Sequence, residues 1–261
     1  LQVAGNFRHL QASLGISSGS KELALTSPFD LATHCAVIFP TSMPRIEKHS
    51  TEQDRKQAEE EYRQHVGRHI EYLIKTLGGG VLGLFSSRAS LEITLKRMED
   101  RNVAERLGVK IYHQGQIDRM ELIKRFKRDE NSVLLGLASF WQGVDVPGQS
   151  LRCVVIDKMP FAPFGDPVES AIGDYLKTCG GNPFAHRILP KTLLALKQGA
   201  GRLIRTSSDY GLIVILDRRA EKGGSGYWKA VDQSLPPCRR YASIKKAPEI
   251  LEAMREGKRL P

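Results

Sequence analysis

Two arginines, a glutamine and two glycines crowd the octet Gln198-Gly199-Ala200-Gly201-Arg202-Leu203-Ile204-Arg205, and these residue types can handle phosphate. On a continuous helix, Gln198, Arg202 and Arg205 stand at i, i+4 and i+7. One amide and two guanidiniums then share a face while Leu203 and Ile204 point toward a core. Each guanidinium can fork onto phosphate oxygens, so the pair suits a triphosphate whose terminal group is being transferred. Gly199 and Gly201 allow another backbone or a ligand to come close. An ordinary amphipathic helix with surface arginines explains the same octet, and the pattern alone leaves both readings open. No GxxxxGK[ST] loop occurs, so the chain lacks the usual cradle for a nucleotide triphosphate.

Other chemical signals are weaker. Gly78-Gly79-Gly80-Val81-Leu82-Gly83 fits GxGxxG, but these glycines precede an apolar run instead of joining a strand to a helix, so they read as a helix terminator. Cys35, Cys153, Cys179 and Cys238 lie far apart with no CxxC pair and no histidine at zinc-ligand spacing, which favours buried reduced thiols over the alternative of a disulfide or metal site. His113 reads as a polar strand-end residue. No Ser/His/Asp or Cys/His nucleophile pattern and no acidic cluster of a nuclease stand out.

The elements that must position these residues are legible as periodicity. Cys35–Phe39, Val81–Phe85, Val109–Tyr112, Val133–Leu137, Cys153–Ile156 and Leu212–Leu216 are apolar nearly throughout, as strands covered on both faces are. Between them, Ala58, Tyr62, Val66, Ile70, Leu73 and Leu77 form a helical stripe that Ser50 or Thr51 can cap and Gly78 can end. A second helix is expected from about Arg88 to Leu107, closed by Gly108. A third starts near Asp118 and buries Leu122 and Phe126, and a fourth follows Pro190. Met159 to Leu189, rich in proline and glycine, reads as a structured insertion with one helix near Val168 to Thr178. Pro236-Pro237 precedes a basic C-terminal extension with a last helix at about Ala247 to Glu256. Strands alternating with helices imply an α/β fold with a parallel sheet, and 261 residues suffice for one such domain.

The formal charge is +10 and the pI about 9.5, which favours a polyanionic partner. The excess is distributed: residues 88–128 carry net +5, 186–219 net +5 and 238–261 net +4, whereas 129–185 carry net −4. A basic surface assembled by folding is expected rather than a basic tail. No apolar run approaches the roughly 18 residues of a membrane span and no secretory signal is recognisable, so a cytosolic (cytoplasmic) chain with no membrane partner is the default expectation.

Ser139-Phe140-Trp141-Gln142-Gly143-Val144-Asp145-Val146-Pro147-Gly148, followed by a strand ending in Asp157-Lys158-Met159-Pro160-Phe161, resembles motif V and the next strand of the DinG/XPD-like superfamily 2 DNA helicases. The octet at 198–205 then resembles that family's motif VI, and Leu84-Phe85-Ser86-Ser87 its motif IV. Order and spacing agree, and the resemblance covers roughly residues 1 to 220. It implies a RecA-like parallel sheet flanked by helices, the C-terminal motor domain of an ATP-dependent DNA helicase moving 5′ to 3′ on single-stranded DNA. In that family the phosphate loop, the Mg²⁺-binding acidic motif and, in many members, an iron–sulfur cluster belong to the N-terminal motor half. Leu1 would begin just after that half, and the isolated chain is expected not to hydrolyse ATP.

Carried over residue by residue, the resemblance makes Arg202 and Arg205 contacts of the ATP γ-phosphate, Arg205 being the arginine finger, and Gln198 a positioner of phosphates or attacking water. Gly143, Asp145 and Gly201 would lie at the nucleotide cleft. Gln142 stands where the family commonly has Glu, a departure that touches coupling between ATP and DNA. Ser86, Ser87, Arg88 and Ser139 would hold DNA phosphates, and Trp141 would either stack on a base or anchor its loop in the core. The competing reading is a nucleic-acid-binding module whose arginines serve only the strand.

Overall fold

The computed structural model describes residues 2, 6–17, 19–25, 27–45, 51–141, 146, 148–162 and 165–261. Its helices are α1 (Arg8–Leu14), α2 (Leu31–His34), α3 (Glu52–Leu77), α4 (Arg88–Asp100), α5 (Val103–Leu107), α6 (Arg119–Arg128), α7 (Pro167–Thr178), α8 (Leu189–Ala200), α9 (Trp228–Ser234) and α10 (Ala247–Arg255). The apolar runs become strands β1 (Cys35–Ile38), β2 (Val81–Leu84), β3 (Lys110–His113), β4 (Ser132–Gly136), β5 (Cys153–Ile156) and β6 (Gly211–Ile215), joined by β7 (Arg239–Tyr241). They form one sheet in the order β3-β4-β2-β5-β6-β1-β7, and every neighbouring pair is parallel.

The near-continuous apolar character of the strands follows from burial on both faces. On one face Leu82, Leu84, Val154 and Ile156 meet Leu122 and Phe126 of α6, Leu193 and Leu196 of α8 and Val231 of α9. On the other, Val81, Val133, Val155 and Val214 meet Val66, Ile70 and Ile74 of α3, Leu91 of α4 and Ile250 of α10. The result is the RecA-like architecture of a parallel sheet between two helical layers. No helix among the described residues is long and apolar enough to cross a membrane.

Local signals set the helix limits. Thr51 caps α3 by accepting the Asp54 N–H at 3.1 Å, and Asp118 caps α6 by accepting from Met120 and Glu121. Gly78 to Gly80 all take positive φ, a conformation that glycine adopts at little steric cost, and this turns the chain from α3 into β2.

Three expectations need correction. The helix expected from Arg88 to Leu107 is two helices, broken at Arg101 and Asn102, with Asn102 in the left-handed region at φ 47°. The break lets Arg97, Arg101 and Arg106 converge on the buried Glu71 of α3 at 2.9, 3.0 and 2.5 Å. Strand β7 was not anticipated, because an edge strand carrying two arginines shows no apolar pattern; charge on an exposed edge also discourages pairing with another chain. Finally, helix α8 stops at Ala200, so the octet 198–205 is not one helix.

Candidate functional site

Strands β4, β2 and β5 lie side by side, and their C-terminal ends gather several of the residues singled out above. Asp157 follows β5 and is 1% exposed. Its Oδ1 accepts the Ser86 N–H at 2.8 Å and the Lys158 N–H at 2.5 Å, while Ser86 Oγ donates to its Oδ2 at 3.1 Å. From α3, the Tyr62 hydroxyl donates to the Asp157 carbonyl at 2.5 Å, and Lys158 Nζ sits over the Tyr62 ring, 4.7 Å from its centroid. Burial pushes the Asp157 carboxyl up to about 7, with the Ser86 and Lys158 hydrogen bonds opposing. The carboxylate ties the end of β2 to the end of β5 and fixes where α4 begins.

At the start of α4, Ser87 accepts the Ser90 N–H at 3.2 Å as the N-cap. Arg88 is exposed and lies 3.9 Å from Glu92. Beyond β4, Gln114 organises the chain: its Oε1 accepts the Leu137 N–H at 2.8 Å and the Ser139 hydroxyl at 3.3 Å. Ser86, Ser87, Arg88 and Ser139 are all exposed, so one edge of the sheet presents hydroxyls, backbone N–H groups at a helix start and a guanidinium. That donor set suits phosphate oxygens.

A second knot joins the segment after β4 to the segment before β6. Trp141 is only 4% exposed, and its indole packs on α8 at Gly199, where a Cβ would come within 2.8 Å of the ring. Arg202 Nε donates to the Trp141 carbonyl at 3.2 Å. Asp209 accepts the N–H groups of Arg205 and Thr206 on Oδ2, each at 2.8 Å, and that of Gly148 on Oδ1 at 2.9 Å. Burial acts against it, but these hydrogen bonds hold the Asp209 carboxyl below its ordinary value. Two stretches 61 residues apart in sequence, joined at Trp141 with Arg202 and at Gly148 with Asp209, therefore share one junction.

Comparison with known proteins shows the family. The profile of the helicase C-terminal domain matches residues 70–238. The chain belongs to the helicase C-terminal domain family. Among relatives, the 3'-5' exonuclease DinG of Bacillus subtilis (strain 168) is 33% identical over 229 residues, covering 87% of this chain and 24% of that protein. The ATP-dependent helicase DinG of Mycobacterium tuberculosis (strain ATCC 25618 / H37Rv) is 33% identical over 260 residues, covering 98% of this chain and 36% of that protein. The chain thus spans about a quarter to a third of the length of these curated relatives. In fold it is similar to Xpd4 of S. tokodaii, with a TM-score of 0.55 at 15% identity, over 87% of this chain and 41% of that one.

In this helicase C-terminal domain the residues expected to act are distributed unevenly. Arg202 and Trp141 meet directly, and Arg205 is held beside them through Asp209. Gln198 lies in the last turn of α8, but Arg202 and Arg205 follow its end at Gly201. The shared helical face expected from i, i+4, i+7 spacing is therefore not formed, because the chain leaves the helix at Gly201 and enters a turn. Leu203 and Ile204 are buried as expected. Gln142, Gly143 and Asp145 lie outside the described residues.

The geometry favours one of the two readings left open for Trp141. Trp141 is a core residue whose ring lies against Gly199, so no base can stack on it without unpacking α8. The close approach expected at Gly199 is made by that indole, not by a ligand. The Ser86 N–H and hydroxyl are both engaged with Asp157, whereas Ser87 accepts at its helix cap and keeps its hydroxyl hydrogen, so at this corner the Ser87 hydroxyl, the backbone N–H groups that open α4 and Arg88 remain the freer donors. Sequence reasoning missed Asp157, Asp209 and Asp217 as organisers. Asp217, which is fully buried, grips the Arg219 guanidinium at 2.6 Å and accepts the Met159 N–H at 2.9 Å. Asp157 and Asp217 each follow directly on an apolar strand run, a signal present in the sequence but not specific.

Proposed function

We propose that this chain is the second motor domain of an ATP-dependent DNA helicase, supplying half of an ATPase site and half of a single-stranded DNA track. The observation that carries the reading is the junction of Trp141, Gly148, Gly199, Arg202, Arg205 and Asp209. It places both arginines on a loop anchored to the segment that follows β4, where a fixed guanidinium can meet a phosphate offered by another domain. The ATP-dependent helicase named among its relatives supports the same reading.

On this proposal Arg205 is the arginine finger, Arg202 a second γ-phosphate contact held in place by the Trp141 carbonyl, and Gln198 a positioner at the end of α8. Gly143, Asp145 and Gly201 line the nucleotide cleft. Ser86, Ser87, Arg88 and Ser139 contact DNA phosphates, mainly through the Ser87 hydroxyl, the backbone N–H groups that open α4 and Arg88. The residues present suit the phosphate end of ATP, being guanidiniums and amides. Mg²⁺ and the β-phosphate are assigned to the N-terminal motor half of the same protein, as is any iron–sulfur cluster. Residues 159–189 are an insertion and residues 236–261 a basic extension of a single domain.

The test is steady-state ATP hydrolysis by the joined motor halves on saturating single-stranded DNA. Arg205→Ala is expected to lower kcat by about 10³- to 10⁵-fold while leaving nucleotide affinity within a few-fold. If Arg202→Ala and Arg205→Ala spare turnover and weaken only DNA binding, the domain is a binding module and the proposal fails.

A further inference from the structure

Cysteines 35 and 238, remote in sequence, are neighbours in the sheet. Strand β7 pairs with β1 in the register Ala36↔Arg239, so the preceding pair is Cys35 opposite Cys238, with both side chains on the same face. Both belong to the cluster packed on that face. Cys35 is wholly buried, whereas Cys238 is partly exposed. Adjacent strands lie about 4.8 Å apart, inside the Cα separation of about 4.4–6.8 Å that a disulfide requires.

A fixed cation hydrogen-bonds one of the two sulfurs. Arg240 Nη1 lies 3.3 Å from Cys238 Sγ and donates to the carbonyls of Cys238 and Pro236, each at 2.8 Å. Its other nitrogens are held by Asp232 at the end of α9, Nε on the carboxylate at 2.8 Å and Nη2 on the carbonyl at 3.2 Å. A guanidinium clamped in this way cannot swing off the sulfur. The hydrogen bond from the Cys35 thiol and, against burial and Asp232, the Arg240 charge hold the Cys238 thiol below its ordinary value. The Cys35 thiol, donating to Cys238 and sealed from water, is pushed well up.

We propose that Cys238 and Cys35 form an oxidation site for hydroperoxides, in which Cys238 takes the oxygen and Cys35 resolves it to a disulfide that staples β7 to β1. The Cys238 thiolate attacks the terminal oxygen of ROOH. The O–O bond breaks, ROH leaves with the proton the thiol released, and Cys238 becomes a sulfenic acid. Cys35 sulfur then attacks Cys238 sulfur. The S–O bond breaks, and hydroxide departs as water with the Cys35 proton. Two thiols are oxidised by two electrons in all, and one hydroperoxide is reduced to an alcohol and water. The split of roles follows from access and charge: of the two, Cys238 is the partly exposed one and the one hydrogen-bonded by the guanidinium, and Cys35 lies buried beside it.

The experiment uses the intact chain with hydrogen peroxide as the probe. Before oxidation, iodoacetamide near neutral pH should modify Cys238 in preference to Cys35 and Cys153, and Arg240→Gln should slow Cys238 about three- to tenfold. After peroxide, non-reducing peptide mapping should find Cys35 joined to Cys238 within one chain, with two of the four cysteines still free. Cys35→Ser should stop at a Cys238 sulfenic acid trapped by dimedone. The wild-type map needs no variant to fold, and circular dichroism checks each variant. Oxidation confined to Cys179, disulfides only between chains, or a Cys238 rate unaffected by Arg240→Gln would overturn the proposal.

Discussion

Replacing Asp157 by Asn isolates the effect of one buried carboxyl on stability. In the folded chain burial raises this group to about 7 from its ordinary 3.8, so between those values the native state holds a proton that the unfolded chain has released. Stability therefore falls as pH rises through this window and levels off above it. At about 1.36 kcal/mol per pKa unit, the loss between about pH 5 and pH 8 is on the order of 3 kcal/mol. Asn keeps the oxygen that receives the Ser86 and Lys158 N–H groups, and the exposed Ser86 hydroxyl can turn to accept from the new amide. Asp157→Asn should thus flatten the pH dependence: the stability of the variant minus that of the wild type grows by about 3 kcal/mol from pH 5 to pH 8. Burial lowers His69, which makes the fold lose stability on acidification, but that contribution is common to both proteins and cancels in the difference. Urea unfolding at several pH values measures it. A difference that stays constant with pH, or that shrinks on the alkaline side, would refute the argument that Asp157 is kept protonated by burial.

Further outcomes follow from the same geometry. Trp141→Ala should cost about 3–5 kcal/mol of stability, as truncation of a buried aromatic does, while DNA affinity per folded molecule stays within about twofold; denaturant melts with fluorescence-anisotropy titrations would detect the reverse. Gly199→Ala should cost about 1–3 kcal/mol by overpacking, and less in a Trp141→Phe background, so a double-mutant cycle without coupling would contradict the indole contact. Single-stranded DNA binding by this domain should weaken with salt, with a log–log slope of about −2 to −3.5 for a track of about three to five phosphates. Arg88→Glu should weaken all sequences alike and flatten that slope, and strong base preference in titrations of several oligonucleotides would count against a phosphate track.

Amphipathic stripes and apolar runs were enough to place the sheet and most of its helices, because burial on both faces leaves strands no polar positions and caps such as Thr51 and Asp118 act over three residues. The order of the segments at Ser86, Ser139 and Arg205 came from a resemblance to helicase motifs and not from this local logic. Local logic failed wherever partners lie far along the chain. Edge strand β7 forms because β1 offers it an unpaired ladder, not because Arg239-Arg240-Tyr241 favours a strand. The break at Asn102 lets three arginines reach Glu71, which sits on another helix. The octet 198–205 reads as a helix by spacing, yet Gly201 ends it, and what holds Arg202 and Arg205 is the Trp141 carbonyl and Asp209 instead of a helical face. Sequence by itself determined which segments would be buried, since that follows from composition and local spacing. Only the tertiary structure decided which sulfur meets which, where Trp141 points and which acids clamp the loops, because a hydrogen bond or a packed ring depends on distances that the chain acquires only when distant segments close on one another.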